Sequence, residues 1–184
     1  QEILSYINDK PISFEVFSDE FEEMEKQALQ IASWASNVNV KIPITNTKAE
    51  SSVNLINNLS EEGVSVNVTA MMTVDQVKSV LSGLSKGPNG YVSVFAGRIA
   101  DAGQDPIIVM SEVVEILKDY QNIELIWASP RELYNVVQAD SIGCHIITAT
   151  NNILKKLPTL GKDLDQFSLE TVQMFYDDAS EAGF

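Results

Sequence analysis

The chain has 184 residues, enough for one domain with a full core over 1–184, and its formal net charge of -14, from 26 acidic against 12 basic side chains, argues against binding to nucleic acid or anionic membranes. Its one cysteine, Cys144, cannot form an intramolecular disulfide, as a reducing compartment permits, so cytoplasm is the expected location. No uncharged apolar run approaches the roughly 20 residues of a membrane-spanning helix, and Gln1–Lys10 lacks the basic start and apolar core of a signal peptide.

In chain order, Gln1–Ile7 reads as the tail of an amphipathic helix, and without an initiator Met further residues are expected upstream. Short β-rich runs then alternate with helical patterns. The strands are expected at 12–17, 38–43, 65–70, 91–96, 123–128 and 141–148, and the helices between them at 20–36, 48–62, 74–84, 106–120 and 131–139. Crossovers of helical length join parallel strands. Thr47-Lys48-Ala49-Glu50 reads as a capping box before a helix that stops at Gly63, and Lys86-Gly87-Pro88-Asn89-Gly90 as a turn. A last helix over Ser168–Ala179 places Leu169, Val172, Phe175 and Tyr176 at helical spacing, either for contacts with other subunits or for packing on the chain's own barrel.

The strands carry the more informative pattern. Side chains alternate along a strand, so in Val38-Asn39-Val40-Lys41-Ile42 the apolar residues take one face and Asn39 and Lys41 the other. The same split isolates Ser13 and Glu15, then Asn67 and Thr69, then Tyr91, Ser93 and Phe95. With helices over the apolar side these groups converge on one interior, which favours a barrel over an open doubly wound sheet. An inward lysine near a strand end, flanked by Val40 and Ile42, is expected to be partly desolvated, which favours the neutral amine that attacks a ketone to form an imine. Taken alone, a lysine at an edge with its head in water is the commoner case. The company of Glu15, Asn67, Thr69 and Ser93 raises the odds.

These residues resemble those of the transaldolases and their relatives the fructose-6-phosphate aldolases, and they lie closer to the transaldolases. Val40-Lys41-Ile42-Pro43-Ile44-Thr45 is similar to the family's Schiff-base strand, Val66-Asn67-Val68-Thr69 to its Asn-x-Thr strand, and Val92-Ser93-Val94-Phe95-Ala96-Gly97-Arg98-Ile99 to its Ser-x-Phe-x-Gly-Arg-Ile segment. The resemblance runs from about Ile12 to about Thr148 and implies an α/β fold, the (β/α)8 TIM barrel. It makes Lys41 the Schiff-base residue, gives Glu15 and Thr69 a catalytic water, sets Asn67 and Phe95 in the pocket, and assigns Ser93 and Arg98 to substrate phosphate. Ser129 follows as pocket lining only, because the family usually has extra residues where this chain goes directly to Pro130-Arg131. The family's first two strands, with an aspartate acid/base and a substrate-binding asparagine, have no counterpart before Ile12, so an N-terminally incomplete barrel is expected.

The implied activity is transfer of a dihydroxyacetone unit between sugar phosphates in the pentose phosphate pathway. Net aldol cleavage and a non-catalytic barrel serving as a binding or assembly module are the alternatives. The family's aldolases carry Gln and Tyr where this chain has Glu15 and Phe95, which favours transfer. Sugar phosphates are the expected partners, together with copies of the chain in a homo-oligomer. No metal, nucleotide or other cofactor is expected, since no His or Cys spacing suits a transition metal, no Gly-rich nucleotide motif occurs, and imine chemistry needs neither. His145 and Cys144 are adjacent strand residues pointing to opposite faces, expected to fill the core.

Overall fold

The computed structural model describes residues 2–184, which fall into two compact units, one running through Thr148 and the other Ala149–Phe184. The first unit holds a six-stranded parallel sheet in sequence order: β1 (Ile12–Glu15), β2 (Val38–Pro43), β3 (Val66–Met71), β4 (Gly90–Val94), β5 (Ile123–Trp127) and β6 (Ile146–Ile147). Helices α1 (Phe21–Ala32), α2 (Val53–Glu61), α3 (Val74–Leu84), α4 (Ala96–Asp101), α5 (Pro106–Leu117) and α6 (Tyr134–Ser141) lie in the crossovers. This is the strand order of a (β/α)8 TIM barrel, curled but not closed, with β1 and β6 as its edges.

The expected two-sided strands are present. Val38, Val40 and Ile42 of β2, Val66 and Val68 of β3, Val92 and Val94 of β4, and Leu125 and Trp127 of β5 all belong to one core with Met24 and Ala28 of α1, Ile56 and Leu59 of α2, Val77 and Val80 of α3, and Met110 and Val113 of α5. Fully burying one such side chain stabilises the fold by about 1.5–3 kcal/mol. The opposite face carries Asn39, Asn67, Thr69 and Ser93, all buried.

Helix ends follow local chemistry where the sequence supplies it. Thr73 and Gln76 form a reciprocal capping box on α3, and Asp105 accepts from Ile107 N ahead of Pro106 on α5. Gly63, at φ 83°, ends α2 as expected: its N–H reaches Ser60 O at 3.0 Å and that of Val64 reaches Leu59 O at 2.9 Å.

Four expectations are corrected. Thr47–Glu50 is no capping box, because α2 starts at Val53; the Thr47 N–H and hydroxyl donate to Asp19, and Glu50 accepts from Asn46 Nδ2. Ser141 ends α6 instead of opening a strand. Gly143, at φ 74°, turns the chain back so that Cys144 N bonds Ala139 O, which leaves only Ile146–Ile147 for β6. Phe95 and Ala96 lie beyond β4, and Ala96 opens α4, a helix too short to announce itself by periodicity. Of the expected N-terminal helix tail, Gln1 lies outside the described residues and Glu2–Ser5 make a single 3-10 turn.

The second unit comprises α7 (Asn151–Leu154), a 3-10 turn at Leu157–Thr159, and α8 (Leu164–Glu181), whose N-cap Asp163 accepts from Gln166 N. No residue of α8 is buried, and Leu169, Val172, Phe175 and Tyr176 are all exposed. No helix among the described residues is long and apolar enough to cross a membrane.

Candidate active site

Parallel register brings the polar face together. Glu15 pairs with Lys41 across β1 and β2, and Lys41 pairs with Asn67 across β2 and β3. Lys41 Nζ stands 3.7 Å from Glu15 Oε2, with the two side chains 29% and 48% exposed. Val40 and Ile42, expected to desolvate the amine, point to the helix side and are fully buried there. Polar neighbours of the interior surround Lys41 instead.

Asn67 is the hub of that interior: Ser93 Oγ donates to its Oδ1 at 2.7 Å, and its Nδ2 donates to Ser13 Oγ at 3.1 Å. Lower in the sheet, burial raises the Tyr91 phenol above its ordinary pKa, Glu124 adds to the rise, and a hydrogen bond with Asn39 opposes it. At the upper end the β3–β4 register shifts between Val68 and Met71, and Ala70 there takes φ 61°. This bulge follows Thr69, whose hydroxyl is buried without a hydrogen-bond partner among the described residues.

A cavity of about 400 Å³ is lined by Ser13, Lys41, Asn67, Ser93, Phe95, Ile126, Ala128, Ser129 and Thr148. Its size suits a small ligand. Five of the expected residues, Lys41, Asn67, Ser93, Phe95 and Ser129, therefore share one space. Glu15 joins it through Lys41, and Thr69 lies buried outside its lining. Arg98 does not line it. Carried on α4, the guanidinium is exposed, 6.0 Å from the centre of the Phe95 ring. Arg131, for which no role was expected, is a second cation of this region and binds Asp101 through Nε at 3.1 Å and through a second nitrogen. Ser13 was legible as an inward residue from the same alternation that marks Glu15; Ile126, Ala128 and Thr148 were not singled out.

Backbone approach fixes the far wall. Ser129 takes φ 56°, and Gly97 comes so close to it that a Cβ on Gly97 would stand 1.6 Å from Ser129 O. A larger hollow of about 800 Å³ lies on the outer side at the start of β5, between α5 and the turn after α6, among Lys118, Glu115 and His145. It shares no residue with the Lys41 cavity. His145 is exposed there and accepts from Leu125 N through Nδ1, so it does not fill the core. Cys144 does pack against the core, and burial raises its thiol pKa. Among the described residues no cluster of His, Cys, Asp and Glu could hold a metal ion.

The Transaldolase/Fructose-6-phosphate aldolase family model matches residues 1–184. A probable transaldolase of Thermoanaerobacter sp. (strain X514) is 36% identical over 155 residues, which span 84% of this chain and 68% of that protein. Probable transaldolase 2 of Listeria monocytogenes is 35% identical over 173 residues, 91% of this chain and 74% of that protein. A solved mandelate oxidase variant superposes with a TM-score of 0.55 over 80% of this chain and 50% of its own, at 11% identity, a likeness of fold alone. With a family model covering its whole length, and relatives at this identity over most of it, the chain belongs to the transaldolase/fructose-6-phosphate aldolase family.

Proposed function

We propose that Lys41 forms a Schiff base with a ketose phosphate and that the chain transfers the resulting dihydroxyacetone unit to an aldose phosphate, in the cytoplasmic pentose phosphate pathway. The observation that carries this reading is the placement of Lys41 in a cavity with Asn67 and Ser93, its Nζ 3.7 Å from the Glu15 carboxylate. The amine adds to the ketone carbon and the carbinolamine loses water. The hydroxyl beside the scissile bond then gives its proton to water and becomes the carbonyl of the departing aldose phosphate, while the electron pair of the broken carbon–carbon bond passes into the protonated imine. This leaves an enamine that adds to the carbonyl carbon of the acceptor aldose phosphate, whose oxygen takes up a proton. Glu15 exchanges the protons of the dehydration through water, and Thr69 orients that water. Arg98, beside the cavity that Ser129 lines, is the donor for the phosphate end; Ser93, also expected there, gives its one proton to Asn67 Oδ1 at 2.7 Å and keeps only a lone pair for the substrate. Borohydride added with fructose 6-phosphate should reduce the imine to a stable adduct that mass analysis places on Lys41. Absence of label there would remove the reading.

Phe95 supports transfer over release. Freeing dihydroxyacetone requires protonation of the lysine-bound carbanion equivalent, and the phenyl ring that lines the cavity has no proton to give. Phe95→Tyr should therefore raise the release of free dihydroxyacetone from fructose 6-phosphate relative to its transfer to erythrose 4-phosphate. If the unaltered protein released dihydroxyacetone faster than it transferred it, net aldol cleavage would replace transfer as the function.

A further inference from the structure

The Ser93–Asn67–Ser13 chain has a direction, and the direction has a consequence for Ser13. A hydroxyl-to-oxygen bond centres near about 2.7–2.8 Å and an amide N–H-to-oxygen bond near about 2.9–3.0 Å. The observed 2.7 Å to Ser93 and 3.1 Å to Ser13 therefore place the Asn67 oxygen toward Ser93 and its nitrogen toward Ser13. An amide oxygen only accepts and an amide nitrogen only donates. Ser93 must then give its single proton to Asn67, while Ser13 takes a proton from Asn67 and keeps its own. Asn67 and Ser93 are 3% and 2% exposed, so packing holds this polarity in place. Ser13 is exposed, it lines the cavity together with Lys41, and its hydroxyl donates to nothing among the described residues.

We infer that Ser13 is a substrate-positioning residue, whose free O–H donates to a hydroxyl oxygen of the ketone unit held on Lys41. The inference rests on the Lys41 reading and adds a specificity contact to it. Ser93, its proton already committed, offers the cavity only a lone pair, so the two ends of the chain present a donor and an acceptor. A polyhydroxylated ketone can engage both; a ketone without hydroxyls can engage neither.

The test is borohydride trapping on Lys41 at increasing dihydroxyacetone, with acetone as the ketone that lacks hydroxyls. Ser13→Ala should raise the half-saturating concentration of dihydroxyacetone roughly three- to tenfold, as for the loss of one neutral hydrogen bond, and leave labelling at saturation unchanged. Acetone should label Ser13→Ala and the unaltered protein alike. Ser13→Thr, which keeps the hydroxyl on a residue suited to strands, should restore dihydroxyacetone labelling. Label on Lys41 with no difference between Ser13→Ala and the unaltered protein would overturn the inference alone. An equal shift with acetone would do the same, by showing a merely structural effect. No label on Lys41 in the unaltered protein would overturn the Lys41 reading, and the inference with it.

Discussion

Lys41→Ala should leave a folded chain without turnover, at least roughly 10⁴-fold below the unaltered protein, because among the described residues no other amine lines the cavity to form the imine. The fold should survive for a stated reason. The partly exposed pair with Glu15, at 3.7 Å, is of a kind that contributes about 0–1 kcal/mol, and the residues that anchor β2, Val40 and Ile42, are untouched in the core. Turnover, thermal unfolding and borohydride labelling on the same preparation decide the matter. Residual activity near the original level, with the midpoint unmoved, would take Lys41 out of the chemistry.

Gly97→Ala should be the most damaging of the small substitutions, costing about 2–4 kcal/mol of stability. The added carbon would meet a backbone oxygen, that of Ser129 at 1.6 Å, and not the movable end of a side chain. Ser129 has no easy retreat, being already at φ 56° in the left-handed region that non-glycine residues rarely occupy. Either the α4 start or the β5–α6 turn must shift, which displaces Arg98 or Ser129. Gly63→Ala is the control: nothing lies within 4 Å of its added carbon, so only its φ of 83° opposes the change, at about 1–2 kcal/mol. Urea midpoints for the two variants give the comparison. Equal losses would show that the Gly97 contact relaxes freely.

The parts of the fold that are legible in the sequence are those set by near neighbours. Alternation along β2 and β3 separates core from interior because each side chain's face depends only on its place in the strand, and the stop of α2 is set by Gly63 itself, at φ 83°. What the sequence hides depends on distant partners. Thr47 looks like a cap until Asp19, far back in the chain, takes both its N–H and its hydroxyl. The site shows the same division. Lys41, Asn67, Ser93 and Phe95 follow from strand pattern and family resemblance together, whereas the exposure of Arg98 depends on α4, and Arg131 finds its partner Asp101 30 residues back in the chain. Lys41 is partly shielded, at 29% side-chain exposure, but not by Val40 and Ile42, since neighbours along a strand point away from one another.

The direction of the β1 amides has a dynamic consequence. Ile12 N bonds Asn37 O at 3.0 Å and Val16 N bonds Lys41 O at 3.2 Å, so the even-numbered residues of this strand turn their N–H groups to β2. In a parallel ladder the residues between them turn the other way. Ser13 and Glu15 thus direct their amides to the side on which the sheet of this chain pairs no strand. In the chain as described, those two protons exchange with solvent deuterium on the timescale of local edge opening, while that of Val16, paired to β2, waits for the ladder to part. The two β1 residues nearest the proposed chemistry are held through their side chains, to Asn67 and to Lys41, more than through their own backbone. A ligand that tightens those side-chain contacts would register first as slowed exchange at residues 13 and 15.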